Sequence, residues 1–220
     1  MELVGIVFKA IEYKEQSNLV YLYTNQGIIT VKALKSKNPK DKNFGFQNVG
    51  NIVSFAIKDD NNQIKTLLEY SIRYSSFKLT ESIEKIKALS TIIELINYIP
   101  KDNNHMKTFD FILKTFETIN DYPYKTLLLF LIKMTYCFGI NPNLGECASC
   151  KSKINLVGFD FKLGGALCSN CTNNNEYYDL IKEYYYDKKD ILEYSEANYI
   201  NLINHFIEFY LIHANIRLKF

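Results

Sequence analysis

The sequence has no tryptophan, two arginines and three histidines among 220 residues. Each scarcity excludes something. Paired arginine–guanine contacts are the commonest way a protein reads a DNA base, so Arg73 and Arg217 alone leave little means of recognising sequence. The histidines, His105, His205 and His213, are scattered. The last two are expected on one helix as surface or packing residues. No glycine is followed by lysine, which excludes a Walker A phosphate loop, and neither Gly-x-Ser-x-Gly nor His-Glu-x-x-His occurs. The acid pairs sit in turns or on helix surfaces, and nothing assembles a general acid with a base, so no enzyme activity is expected. Long apolar runs are missing too. The longest, residues 127–132, falls far short of the roughly 20 residues that cross a bilayer. The first ten residues carry an acid at position 2 and no basic stretch, so they do not resemble a signal peptide, and a cytoplasmic protein is expected.

What is present can build a large core. Hydrophobic residues make up 47% and aromatics 15%, the latter all Tyr and Phe, enough for one large domain or two modest ones. The net charge of +2 is unevenly spread. Residues 1–80 carry eleven basic against seven acidic side chains, residues 81–145 balance, and residues 146–220 carry eight against ten. Attraction to a polyanion therefore belongs mainly to the first third.

That third has the pattern of β structure. Apolar, β-branched stretches at residues 3–10, 19–24, 28–31, 52–58 and 64–74 alternate with turn chemistry at Asn25-Gln26-Gly27 and Asp59-Asp60-Asn61-Asn62. Gly5 inside the first strand suggests a bulge or bend. Five short, bent, antiparallel strands predict a small barrel of the OB type over residues 1–79, with an SH3-like barrel as the competing architecture.

From Thr80 the period becomes helical, and residues 80–220 are expected to form a second, helical domain. Thr80 is the expected cap, with Glu81 and Glu84 in the first turn and Pro100 as the stop. Phe109, Ile112, Phe116 and Ile119 make a second stripe, and Pro123 opens a third helix that Gly139 ends. Residues 177–186 form a weaker candidate, and residues 195–217 a strong one with Tyr199, Ile203, Phe206 and Tyr210 on one face. The whole is an α+β chain.

Four of the five cysteines, Cys147, Cys150, Cys168 and Cys171, fall within 25 residues as two Cys-x-x-Cys pairs. Two residues between cysteines let one tight turn aim both sulfurs at a point. Two such turns joined by a hairpin complete a tetrahedral zinc site. Residues 156–161 can supply strands and Gly164-Gly165 the bend, giving a metal module over residues 145–173. With four protein ligands and no open position, the ion is expected to be structural. An iron–sulfur cluster or a redox dithiol are the alternatives. Cys137 stands apart and is expected in the core.

Lys32, Lys35, Lys37, Lys40 and Lys42 crowd one loop with a single acid, Asp41, between them. If the barrel holds, this loop joins its third and fourth strands and projects from the body. Lysines at that density neutralise phosphates and release counterions, giving non-specific, salt-sensitive nucleic-acid binding. Tyr13, Tyr21 and Tyr23 are candidates for base stacking. An ordinary solvated loop is the alternative.

Gly5-Ile6-Val7-Phe8-Lys9, Tyr13, Glu15 and residues 19–24 resemble the opening of the RecO family of bacterial recombination mediators. Residues 138–144 leading into Cys147 and Cys150, then Phe159-Asp160, Gly164-Gly165, Cys168 and Cys171, resemble that family's zinc segment. Lys151 stands where family members often have glycine. The resemblance implies an OB-fold followed by a helical domain with a zinc module. It also implies a non-enzymatic role: binding single- and double-stranded DNA, annealing complementary strands, and working with RecR and the single-strand binding protein to load RecA, in a cytoplasmic, nucleoid-associated setting. The metal-ligand role falls on Cys147, Cys150, Cys168 and Cys171, and DNA contact on the lysines of residues 32–42. A competing function is a zinc-stabilised protein adaptor that does not touch nucleic acid; a thiol oxidoreductase is a third.

Overall fold

The computed structural model describes residues 2–58, 62–186 and 194–220. The first five strands are β1 (Glu2–Tyr13), β2 (Ser17–Thr24), β3 (Gly27–Leu34), β4 (Ile52–Ile57) and β5 (Lys65–Tyr74). They close a barrel in the order β1-β2-β3-β5-β4. All pairings are antiparallel except β3 with β5, where Val31 lies opposite Lys65 and Lys32 opposite Thr66. This is the expected five-stranded barrel of the OB type. The turn expected at residues 59–62 lies outside the described residues except for Asn62.

Gly5 does not mark the irregularity in β1. The register shifts between Val7 and Lys9 instead. A side chain at Gly5 would sit 3.0 Å from the Cβ of Leu22 and 3.2 Å from the ring of Phe55, so glycine there serves close packing inside the barrel. Val7, Val20, Leu22, Val31, Val53 and Phe55 fill that interior. Phe46 plugs it from a 3-10 turn (Phe44–Gln47), fully buried and edge-on to Phe55 and Tyr70. β2 is buried at seven of its eight positions, because its outer face is covered as well as its inner one.

What covers it is a second core. The helices are α1 (Ile83–Ile96), α2 (His105–Thr118), α3 (Pro123–Met134), α4 (Tyr178–Tyr185) and α5 (Glu196–Ala214). α3 buries eight of its twelve residues and touches each of the other four helices, as a helix apolar all round must. Ile6, Phe8, Tyr23 and Ile52 of the barrel join this helical core. Thr80 does not cap α1. It ends a 3-10 turn (Ser76–Thr80), and Ser82 is the cap, accepting from the amide of Lys85 at 3.3 Å. Thr80 closes that turn, its hydroxyl donating to the carbonyl of Phe77 at 2.7 Å, and the first turn of α1 begins beyond it at Ile83. α5 ends where Asn215 turns left-handed, and Lys219 then bonds Thr91 and Glu94 of α1. No helix among the described residues is long and apolar enough to cross a membrane.

Tyr23 locks barrel to helices. His105 Nε2 meets the carbonyl of Lys101 at 2.9 Å; since a carbonyl only accepts, Nδ1 is the nitrogen free to accept from the Tyr23 hydroxyl at 3.0 Å. Burial pushes the Tyr23 phenol up to about 12.

Candidate functional site

After α3 a 3-10 turn (Thr135–Phe138) leads into the cysteine segment, whose hairpin is β6 (Leu156–Asp160) and β7 (Gly165–Cys168). The chain around the first pair is tied to this hairpin by Ala148, which donates to the carbonyl of Ala166 at 2.7 Å, and closes on itself where Cys147 donates to the carbonyl of Ser152 at 2.7 Å. The second pair turns tightly, the amides of Cys171 and Thr172 both reaching the carbonyl of Cys168. Gly158 lets residues after Cys171 lie across β6; a Cβ there would come within 2.2 Å of the Asn174 carbonyl. Lys151 adopts φ 65°, the left-handed region that glycine enters freely.

These turns bring the four expected ligands together. The sulfurs of Cys147, Cys150, Cys168 and Cys171 all lie within 4.8 Å of one another, with Cys150 and Cys168 at 3.5 Å. A tetrahedral site with metal–sulfur bonds of about 2.3 Å has sulfur–sulfur edges of about 3.8 Å, whereas a disulfide needs about 2.05 Å. The cysteines are all free thiols, and the donor set fits a metal ion. Cys147 and Cys168 are buried; Cys150 and Cys171 reach the surface. Hydrogen bonds from the backbone, Cys150 first, pull the Cys147 thiol down to about 6, while hydrogen bonds with Cys150 and Cys168 push Cys171 up to about 12. Sulfurs this crowded resist ionising together, and a bound cation removes that resistance.

The histidines of α5 hold this module, a role the sequence did not reveal beyond their shared helix. His205 stacks on Phe161 at 4.7 Å, and His213 Nε2 donates to the Phe161 carbonyl at 2.9 Å. Cys137 is half-buried against Met134 and Thr108, away from the cluster.

The lysine loop is pinned rather than projecting. Ser36 is fully buried between Lys35 and Lys37. Its amide donates to the Gln16 carbonyl at 3.1 Å, its hydroxyl accepts from Asn18 at 2.8 Å, and its carbonyl accepts from Gln47 at 2.9 Å. Asn18 also bonds Gln47. With Phe46 in the barrel, the loop is fastened at both ends. Lys35 and Lys37 share a cleft of about 640 Å³ with Glu15 and Gln16 of the β1–β2 turn. Lys37 is already paired, its Nζ 2.8 Å from Glu12, and that bond holds the Glu12 carboxyl below its usual range. Lys40 and Lys42 are exposed, and Lys32 is half-buried on β3. Of the three tyrosines, Tyr13 and Tyr21 are half-buried, each with a lysine ammonium 5.4 Å from its ring centre. Tyr23 is fully buried and cannot stack on a base. Ser36, Asn18, Gln47 and Phe46 carry no motif in the sequence; their roles follow from burial and contacts that only the fold creates.

Residues 80–182 match the family model described as Recombination protein O C terminal. The chain is similar to the DNA repair protein RecO of Halalkalibacterium halodurans, 27% identical over 173 residues, covering 76% of this chain and 67% of the relative. The RecO protein of Bacillus cereus is 24% identical over 177 residues, covering 79% and 71%. That of Prosthecochloris aestuarii is 26% identical over 150 residues, covering 65% and 56%. A barrel followed by helices and a four-cysteine cluster inside the helical part accompany these matches, and together they make the chain similar to the RecO proteins.

Proposed function

We propose that this protein is a non-enzymatic mediator of DNA repair and recombination. It binds single- and double-stranded DNA, anneals complementary strands, and works with RecR and the single-strand binding protein to load RecA, in the bacterial cytoplasm at the nucleoid. The observation that carries this is the pinned loop bearing Lys35 and Lys37, set beside the β1–β2 turn, because that turn is one of the loops OB barrels use for oligonucleotides. Annealing requires two polyanions to approach, and lysines lower that barrier by neutralising phosphate. No bond is made or broken by a side chain.

The four cysteines would hold a structural zinc ion, which supplies the cross-link between the two turns. A cleft of about 700 Å³ between β1 and α1 is lined by Phe8, Leu79, Leu89 and Ile93, with Lys9 and Lys219 also on its walls. It suits the acidic, apolar tail of a single-strand binding protein.

Replacing Lys35, Lys37 and Lys40 together with Glu tests the reading. DNA affinity and annealing should both fall, and the slope of log affinity against log salt should flatten by about three. Unchanged binding rules the loop out. The adaptor reading is favoured by one observation, the Lys37–Glu12 pair, which withholds one lysine from phosphate. Wild-type protein that binds no DNA at low salt decides for it.

A further inference from the structure

We propose that the cleft between the β4–β5 edge of the barrel and the C-terminal end of α2 seats one unstacked nucleotide of a single strand. The inference deepens the DNA-binding reading and rests on it, but uses no residue of the lysine loop. The cleft holds about 440 Å³, within the range of small-ligand sites. Its walls differ in chemistry in the order a nucleotide would need.

The inner wall is aromatic. Tyr74 and Phe116 stand nearly perpendicular, 5.5 Å apart; Phe116 is buried, so the half-buried Tyr74 ring is the part of this wall that a base could stack on. The Tyr74 hydroxyl is shielded from solvent yet has no hydrogen-bond partner. Leaving such a group unpaired costs about 1–3 kcal/mol, and Tyr74 lines the cleft. Burial also raises its pKa, so it stays a neutral donor.

One side is cationic. Arg73 and Lys78 are both exposed. Arg73 bonds Ser54 and lies 3.7 Å from Glu2, yet its side chain remains 54% exposed, and a guanidinium has five N–H donors to share. The other side supplies acceptors and one amide. Lys85 donates to Asn120 Oδ1 at 2.9 Å, which fixes that amide and leaves its Nδ2 with one contact, at 3.4 Å to Asp121. Glu117 and Asp121 stand one turn apart as acceptors. Phosphate on the cations, base on the rings and an exocyclic amine on the carboxylates is the arrangement these walls select.

The test uses the full chain and deoxyadenosine 5′-monophosphate, read by saturation transfer to the adenine protons and by thermal shift. Wild-type protein should transfer saturation and gain stability with added nucleotide. Tyr74→Phe keeps the ring and removes only the hydroxyl, and should weaken binding about three- to tenfold. Leu113→Trp fills the cleft and should abolish it; if that variant melts early, Tyr74→Phe alone decides. Thymidine 5′-monophosphate, which lacks an exocyclic amine, should bind at least threefold more weakly. The Lys35/Lys37/Lys40→Glu variant should bind the mononucleotide as wild type does while losing oligonucleotides, which separates failure of this site from failure of the lysine loop. No mononucleotide binding by wild type, full affinity in Tyr74→Phe, equal affinity for the thymidine nucleotide, or loss with the lysine variant instead would each overturn the proposal; the second would mean that the hydroxyl makes no contact with the ligand.

Discussion

Ten buried apolar side chains, from Leu3 to Leu67, fill the barrel, whereas the cysteine segment around the β6–β7 hairpin, residues 145–173, buries little besides Phe161, Ala166, Cys147 and Cys168. The barrel can keep its shape by excluding water from its own interior. The hairpin cannot. It depends on four sulfurs meeting at one point and on Phe161 being gripped by His205 and His213. The two regions of one chain are held by unlike forces, and so should fail separately.

The sharpest way to break the comparison is at a ligand. Cys147→Ser should abolish stoichiometric metal, read by elemental analysis, and expose residues 143–173 to protease while the barrel resists. Structural zinc contributes about 10–16 kcal/mol in isolated zinc-finger peptides, far beyond what the hairpin's burial offers. A barrel cut as readily as the hairpin would contradict separate failure.

Next in size is the plug. Phe46→Ala should cost about 3–5 kcal/mol in denaturant unfolding and leave metal content unchanged. It should also weaken DNA binding without touching a lysine, because the loop loses its anchor.

Ser36→Ala should cost about 1–3 kcal/mol, since the Asn18 amide loses one of its two acceptors and the Ala33 carbonyl loses a donor inside the protein. Its effect should again be confined to the barrel and to DNA affinity, measured by anisotropy across a salt series.

The smallest effect should be favourable. Lys151→Gly removes about 1–2 kcal/mol of left-handed strain and adds back roughly half of that in backbone entropy. Metal release to a chelator should slow by a few-fold, with the barrel's stability unmoved. Faster release would mean that the Lys151–Glu146 pair at 3.5 Å matters more than backbone strain.

Much of this was legible in residue order. The strand runs and their turns gave the barrel, and apolar stripes after residue 80 gave five helices, because hydrophobic period follows directly from which face must leave water. The cysteine spacing pointed to a cluster because a two-residue gap is a local property. The cap at Ser82, the bulge beside Phe8 and the burial of Tyr23 were not legible. The first depends on the neighbouring 3-10 turn that ends at Thr80, the other two on distant segments: the pairing of β1 with β2, and His105 of α2 reaching β2.

By itself, then, the sequence determined the two kinds of secondary structure, the change at residue 80, the clustering of thiols and the concentration of lysines. These follow from local period, spacing and charge, which neighbouring residues fix among themselves. Only the tertiary structure decided that the lysine loop is anchored through Ser36 and Phe46, that Lys37 is paired with Glu12, and that Tyr74 borders a cleft with its hydroxyl unpartnered. Those outcomes rest on contacts between residues far apart in the chain. Which polar group finds a partner there is settled by packing, not by its neighbours in sequence.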